Sequence, residues 1–311
     1  MIVISEFMDD SAVQSLRADF DVLHESSLVD RPADLHVAMK TADALIVRNR
    51  TQVNAELISL APRLKVVGRL GVGLDNIDTA ACSARGIEVI PATGANAVSV
   101  AEYVVTTAMM LLRGVYSSSG EVAAGRWPRT QLSHGRELCG KTLGLIGFGS
   151  IGRVTARLAQ NLGMIVVAHD PMVAADDAAW RESKVANRSL DALLREADVV
   201  SLHVPLVAQT RGMLNAARLA LMKHGAVLIN SARGGIVEES AVIDALRARA
   251  LGGAALDVFE HEPLAANPSW ADVPNLILTP HVAGVTVEAN ERVSEMIAHR
   301  VANALRALSK Q

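Results

Sequence analysis

The chain has 311 residues, half of them apolar, with 30 basic and 33 acidic side chains and a net charge of −3. That length can bury a large core and suits two domains better than one. The slight acidity gives no general reason to bind nucleic acid or an anionic membrane surface, so any anion site must be local.

Cys82 and Cys139 are the only cysteines, too few for a disulfide framework or a thiolate metal site; no metal is expected, and a reducing cytoplasm is the expected compartment. The opening "MIVISEFMDD" carries Glu6, Asp9 and Asp10 and no basic segment, so it does not read as a signal peptide. The longest apolar stretches, such as "YVVTTAMMLL", have about half the length a membrane span needs.

In chain order, short β-branched runs alternate with helical segments. They are "IVI" at 2–4, "ALIV" at 44–47, "KVV" at 65–67 and "IEVI" at 87–90, followed by "TLGLI", "MIVVAH", "DVVSLHV", "AVLIN", "GAALDV" and "NLILT". Such strands, with helices of roughly ten to fifteen residues between them, predict parallel sheets covered on both faces, an α/β fold. In "PATGANAVSVAE", Pro91, Gly94 and Asn96 mark a boundary, and Ser99 with Glu102 reads as a capping box opening a helix to about Leu112. The last segment, 286–308, spaces Val293, Met296, Ile297, Val301, Leu305 and Leu308 as one helical face, which by order alone could pack on either domain.

"KTLGLIGFGSIGRV" places Gly147, Gly149 and Gly152 directly after a strand and at the start of a helix, with Ser150 and Ile151 between the last two. A second strand then ends in Asp170, about twenty residues on, where a carboxylate can bind both ribose hydroxyls. Glycines allow the tight turn, the approach of a pyrophosphate and close helix–strand packing, and the helix N-terminus adds amide donors. Asp170 would repel a 2′-phosphate, so the expected cofactor is NAD rather than NADP.

Ligands of open α/β sheets bind outside the carboxyl ends of the strands. There "AVLIN" is followed by Ser231, Ala232 and Arg233, "GAAL" by Asp257 and then Glu262, and "LILTP" by His281. Taken singly these read as surface charges. Together they suit hydride transfer to a carbonyl: a guanidinium for a carboxylate, a histidine to protonate the carbonyl oxygen, and a glutamate to keep that histidine charged.

The blocks "GKTLGLIGFGSIGR", "NSARGGIVEESAVIDAL", "GGAALDVFEHEPL" and "TPHVAG", with "VVGRLGVGLDNID" upstream, resemble the D-isomer-specific 2-hydroxyacid dehydrogenases, and within them the phosphoglycerate dehydrogenase branch. The resemblance covers nearly the whole chain. It implies two doubly wound parallel-sheet domains, a Rossmann NAD domain (99–285) inserted in a flavodoxin-like substrate domain (1–98 plus 286–311), and a homodimer formed mainly through the nucleotide domains. It makes Arg233, Glu262 and His281 the catalytic set. Ser231, Ala232, Asp257, Ala283, Gly284 and the segment His203, Val204, Pro205 would lie along NAD. Leu70, Gly71, Val72 and Gly73 would bring backbone amides to the substrate carboxylate. A chain stopping at Gln311 is expected to lack the C-terminal regulatory domains of long phosphoglycerate dehydrogenases.

The run "ALIVRNRTQV" sets Arg48 and Arg50 at the mouth of an apolar strand. By the resemblance, Arg48 sits where the branch contacts a distal phosphate, and Arg129 in "RWPRTQL" matches a second basic position. Arg50 reads equally well as a surface ion-pair partner. The expected substrate is a small 2-hydroxy or 2-oxo acid with a second anion on C3, 3-sulfolactate first and 3-phosphoglycerate second. The alternatives are a hydroxypyruvate or glyoxylate reductase and a non-enzymatic NAD-sensing corepressor. His134, His169, His224 and His261 read as structural or surface histidines.

Overall fold

The computed structural model describes residues 1–308. The chain divides into two compact units, Met1–Asn96 together with the segment from Val285, and Ala97–Gly284. The first division falls two residues before the expected one because the connecting helix already begins at Ala97; Ser99 and Glu102 lie inside its first turns instead of capping it.

The first unit is a five-stranded parallel sheet. Its strands are β1 (Ile2–Ile4), β2 (Val22–His24), β3 (Ala44–Val47), β4 (Val66–Arg69) and β5 (Glu88–Pro91), in the order β2-β1-β3-β4-β5. Because side chains alternate along a strand, Ile2, Ile4, Ala44, Ile46 and Val66 enter one core, and Val3, Leu45, Val47 and Val67 the core on the other face. The helix Val287–Leu308 covers the first of these with Val293, Ile297, Val301 and Leu305, while Leu308 stays exposed at its end. Gly68 makes room for it: a Cβ there would lie 2.8 Å from both Ile297 Cγ2 and Val301 Cγ2.

The second unit is a seven-stranded parallel sheet. Its strands are β6 (Thr142–Ile146), β7 (Ile165–His169), β8 (Ala186–Asn187), β9 (Val199–Leu202), β10 (Ala226–Asn230), β11 (Leu251–Leu256) and β12 (Leu276–Leu278), in the order β12-β11-β10-β9-β6-β7-β8. Leu143, Leu145, Val199, Val227 and Ile229 face one core, shared with the helix Ala97–Arg113. Ile146, Val200, Leu202 and Leu228 face the other. Both sheets thus follow doubly wound orders, and in each the order reverses beside the first strand. Among the described residues no single helix is long and apolar enough to cross a membrane.

Candidate active site

The strands of the second sheet end in one line. His169 is the register partner of Ile146, Ile146 of Leu202, Leu202 of Asn230, Asn230 of Leu256, and Leu256 of Leu278. The residues that follow them, Asp170, Gly147, His203, Ser231, Asp257 and Thr279, therefore form a row along the carboxyl edge, where a doubly wound sheet binds its ligand.

At the middle of the row the glycine turn meets its steric demands. Gly147 has φ of +99°, and a Cβ on it would lie 2.4 Å from the His203 carbonyl oxygen. A Cβ on Gly152 would lie 2.4 Å from the Gly147 carbonyl, so this glycine is what lets the helix Ser150–Asn161 start against the strand. At Gly149, exposed at the N-cap of that helix, a Cβ would meet nothing within 4 Å. That open backbone, next to free helix amides, fits a dinucleotide pyrophosphate. Asp170 accepts from the Phe148 amide (2.7 Å) and the Met172 amide (2.9 Å), which fixes its carboxylate beside the turn. Ser231 presents a buried hydroxyl without a partner among the described residues, a polar atom that a bound ligand can satisfy. His203 bonds Ser201 Oγ through Nε2 (3.0 Å), and burial pushes its pKa from 6.5 down to about 4, so it is a neutral histidine at the start of the His203–Pro205 segment.

Toward the β12 end the loops carry the expected triad residues. His281 Nδ1 lies 2.7 Å from Glu262 Oε2, while Glu262 Oε1 accepts from the Phe259 amide at 3.0 Å. Both side chains are partly exposed, at 45% and 35%. Fixing Nδ1 on the carboxylate leaves Nε2 for a substrate oxygen. His281 itself holds φ of +57°, a left-handed conformation uncommon for a non-glycine residue. Its amide donates to the Asp257 carbonyl (2.8 Å). The buried Asp257 carboxylate takes three more bonds, from Thr279 Oγ1 (2.6 Å), the Val282 amide (2.9 Å) and the Ala283 amide (2.8 Å). Asp257 thereby ties down the whole 279–283 loop.

Arg233 sits on the turn after β10, which Asn230 holds by accepting from the Ala232 amide (3.1 Å) and donating to the Arg233 carbonyl (3.0 Å). The guanidinium donates to the Ala232 carbonyl at 2.6 Å. Gly234 brings this turn onto the loop of Glu262: a Cβ there would lie 1.8 Å from the Phe259 carbonyl oxygen. His261 is exposed on that loop, and Arg129 is exposed on the segment that follows the helix Ala97–Arg113.

In the first unit, the amides of Arg48, Asn49, Arg50 and Thr51 all donate to the Glu6 carboxylate at 2.9–3.3 Å. Burial by itself would push the Glu6 pKa up, but these amides outweigh it and hold the carboxyl below its ordinary value. The backbone of the run therefore has an internal anion already. Its two arginines part ways. Arg50 pairs with Asp30 on the surface. Arg48 is only partly exposed, donates to the Asn290 amide oxygen (2.8 Å), has Phe7 5.8 Å away, and forms no ion pair among the described residues. Leu70, Gly71, Val72 and Gly73 follow β4, with Leu70 and Gly71 buried and Gly71 at φ of +154°; a Cβ on it would strike the Arg69 guanidinium at 1.7 Å.

Sequence reading gave no site role to Glu6, Asn290, Asn230 and Thr279, which bond the expected residues or the turns that carry them. Asn230, a polar residue closing an apolar run, was the only one with a local signal. Among the described residues no cluster of His, Cys, Asp or Glu could hold a metal ion.

The sequence profile of the D-isomer specific 2-hydroxyacid dehydrogenase NAD binding domain matches residues 105–283. Over 304 residues the chain is 55% identical to (S)-sulfolactate dehydrogenase of Chromohalobacter salexigens, covering 98% of both chains. It is 40% identical to D-3-phosphoglycerate dehydrogenase 2, chloroplastic, of Arabidopsis thaliana over 98% of this chain but only 48% of that longer protein. Among solved structures, D-lactate dehydrogenase from Aquifex aeolicus, complexed with NAD and lactic acid, superposes with a TM-score of 0.84 at 31% identity, covering 98% of this chain and 95% of that one. Sequence, sheet order and edge chemistry agree, and the chain belongs to the D-isomer-specific 2-hydroxyacid dehydrogenases, NAD-dependent oxidoreductases.

Proposed function

We propose that this enzyme interconverts a 2-hydroxy acid carrying a second anion on C3 and its 2-oxo acid, with 3-sulfolactate ahead of 3-phosphoglycerate. The observation that carries the reading is Arg48. A half-buried guanidinium is bonded to a neutral amide, and the one carboxylate whose charge acts on it, Glu6, is already taken up by four backbone amides and makes no ion pair with it; an outside anion would complete the arrangement. The 55% identity with (S)-sulfolactate dehydrogenase supports sulfonate over phosphate. Arg129 is the second candidate for the same anion, and the backbone at Leu70–Gly73 for the carboxylate.

Bound NADH supplies the hydride to C2 of the oxo acid. Arg233 holds the carboxylate through its fork of donors, and His281 Nε2 delivers the proton to the carbonyl oxygen. Glu262 fixes the ring through Nδ1, so that Nε2 faces the reacting oxygen. In the oxidative direction the same nitrogen takes the hydroxyl proton. We also take the enzyme to be a homodimer, since Tyr116, Val122 and Trp127 are exposed by 60%, 44% and 77% on one segment of the nucleotide unit; light scattering tests this.

The test of function is a panel of sulfopyruvate, phosphohydroxypyruvate, hydroxypyruvate, pyruvate and glyoxylate, reduced with NADH by wild type and Arg48→Ala. Sulfopyruvate should give the highest kcat/KM. Arg48→Ala should lose about 2–3 kcal/mol of transition-state binding on the two C3 anions and little on pyruvate. A wild type preferring pyruvate or glyoxylate, or equal losses on every substrate, would refute the distal-anion reading.

A further inference from the structure

The Asp257 carboxylate that ties down the His281 loop is itself held by a relay reaching into the core. Tyr103, on the helix Ala97–Arg113, has its hydroxyl 2.7 Å from Thr279 Oγ1, and Thr279 Oγ1 lies 2.6 Å from Asp257 Oδ1. The direction of this chain follows from proton counting. A carboxylate can only accept, so the single Thr279 hydroxyl proton goes to Asp257, and the Tyr103 proton must then go to Thr279. Burial holds the Tyr103 phenol above its ordinary value, with the nearby Asp257 charge adding to the effect, so it stays a donor throughout the neutral range. Hydrogen bonds aligned in this way strengthen one another, and the terminal one bears on a carboxylate that also receives the Val282 and Ala283 amides.

We propose that Tyr103 is a positioning residue for the acid/base step: through Thr279 it orients Asp257 and so fixes the left-handed His281 loop. Each link has its own reason to need the next. The His281 backbone at φ of +57° is held against its preference, so it persists only where neighbours over-determine it. Asp257 supplies that constraint with both carboxylate oxygens and its carbonyl. Thr279 bonds on two sides, its amide donating to the Leu256 carbonyl (3.1 Å) and its hydroxyl to Asp257. Tyr103 is the one member on a long packed helix, and it anchors the relay to the core. A loosened loop would leave Nε2 misplaced at the moment of proton transfer, and displacements well under an ångström cost rate. Thr107, one turn on, donates to the Tyr103 carbonyl at 2.8 Å and does not touch the phenol.

The catalytic part of the proposal rests on the acid/base role given to His281 above, and the loop-fixing part does not. Tyr103→Phe removes only the hydroxyl, Thr279→Val breaks the relay in the middle, and Thr279→Ser restores it. The oxo-acid panel, NADH fluorescence titration and amide hydrogen exchange of the 279–284 loop are measured on each full-length variant. Tyr103→Phe should lower kcat about fivefold to tenfold with KM and NADH affinity within about twofold, and should speed exchange at Val282 and Ala283 by a similar factor. Thr279→Val should do at least as much, Thr279→Ser should recover most of the activity, and the Tyr103→Phe/Thr279→Val double variant should be no worse than Thr279→Val alone. Unchanged exchange in Tyr103→Phe overturns the proposal whatever the substrate is. Faster exchange with unchanged kcat overturns the positioning role and leaves a purely structural bond. A wild type that reduces no oxo acid overturns the function proposed above, and the exchange data still decide the loop-fixing part.

Discussion

Two residues along the strand-end row lend themselves to direct tests. Asp170 is locked by the Phe148 and Met172 amides, so its charge cannot swing away from a ligand that clashes with it. Wild type should strongly prefer NADH over NADPH, and Asp170→Ala should narrow the ratio of kcat/KM values about tenfold, near 1.4 kcal/mol. Parallel titrations with both cofactors check this, and an unchanged ratio would remove Asp170 from cofactor choice. His203 gives a stability test. Its folded pKa lies near 4 against an ordinary 6.5 because burial disfavours the imidazolium. Between those values the unfolded chain takes up a proton that the folded chain refuses, so stability is intact above 6.5 and falls as pH drops towards 4. From about pH 7 to about pH 5 this one group should remove at most ~2 kcal/mol. Urea unfolding of wild type and His203→Gln at the two pH values should show the variant losing correspondingly less.

Among the elements, the long β-branched runs were legible and the short polar ones were not. β1, β3, β6 and β10 match "IVI", "ALIV", "TLGLI" and "AVLIN" residue for residue, because buried central strands must be apolar on both faces. β2 and β8 escaped notice: the first is three half-buried residues at a sheet edge, the second two exposed ones, and an edge pairs on one side only. The helix Ala97–Arg113 begins two residues ahead of its Ser-x-x-Glu signal, with Ala97 and Ser99 both buried, so burial of its first turn and not the polar pair sets its start. The same priority of packing explains Gly68, which as a strand interior residue looks like a weakness. Ile297 and Val301, whose β-branched side chains have little freedom to step aside, leave no room for a Cβ. Gly68→Ala should therefore cost about 1–3 kcal/mol, read as a lower melting temperature, while NADH affinity of the separate nucleotide unit stays within about twofold of wild type.

For the molecule as a whole, the amino-acid pattern was enough to read the class of fold and the glycine turn, and to single out Asp170, Arg233, Glu262 and His281 as candidates. Each of these is written in local pattern: strand period, a six-residue turn, or a residue just past a strand end. Only the tertiary structure decided which core the last helix completes, because an amphipathic face states that it must be buried and not where; Val293, Ile297, Val301 and Leu305 found the first unit. The sequence reading left Arg50 evenly poised between an anion site and a surface ion pair, and the fold gives it the surface carboxylate of Asp30 while Arg48 takes the amide of Asn290. Glu6 and Arg48 are forty-two positions apart, Tyr103 and Thr279 one hundred and seventy-six. A hydrogen bond reaches about 3 Å, so partners that distant in the chain meet only once the sheets have formed, and no local pattern could have announced them.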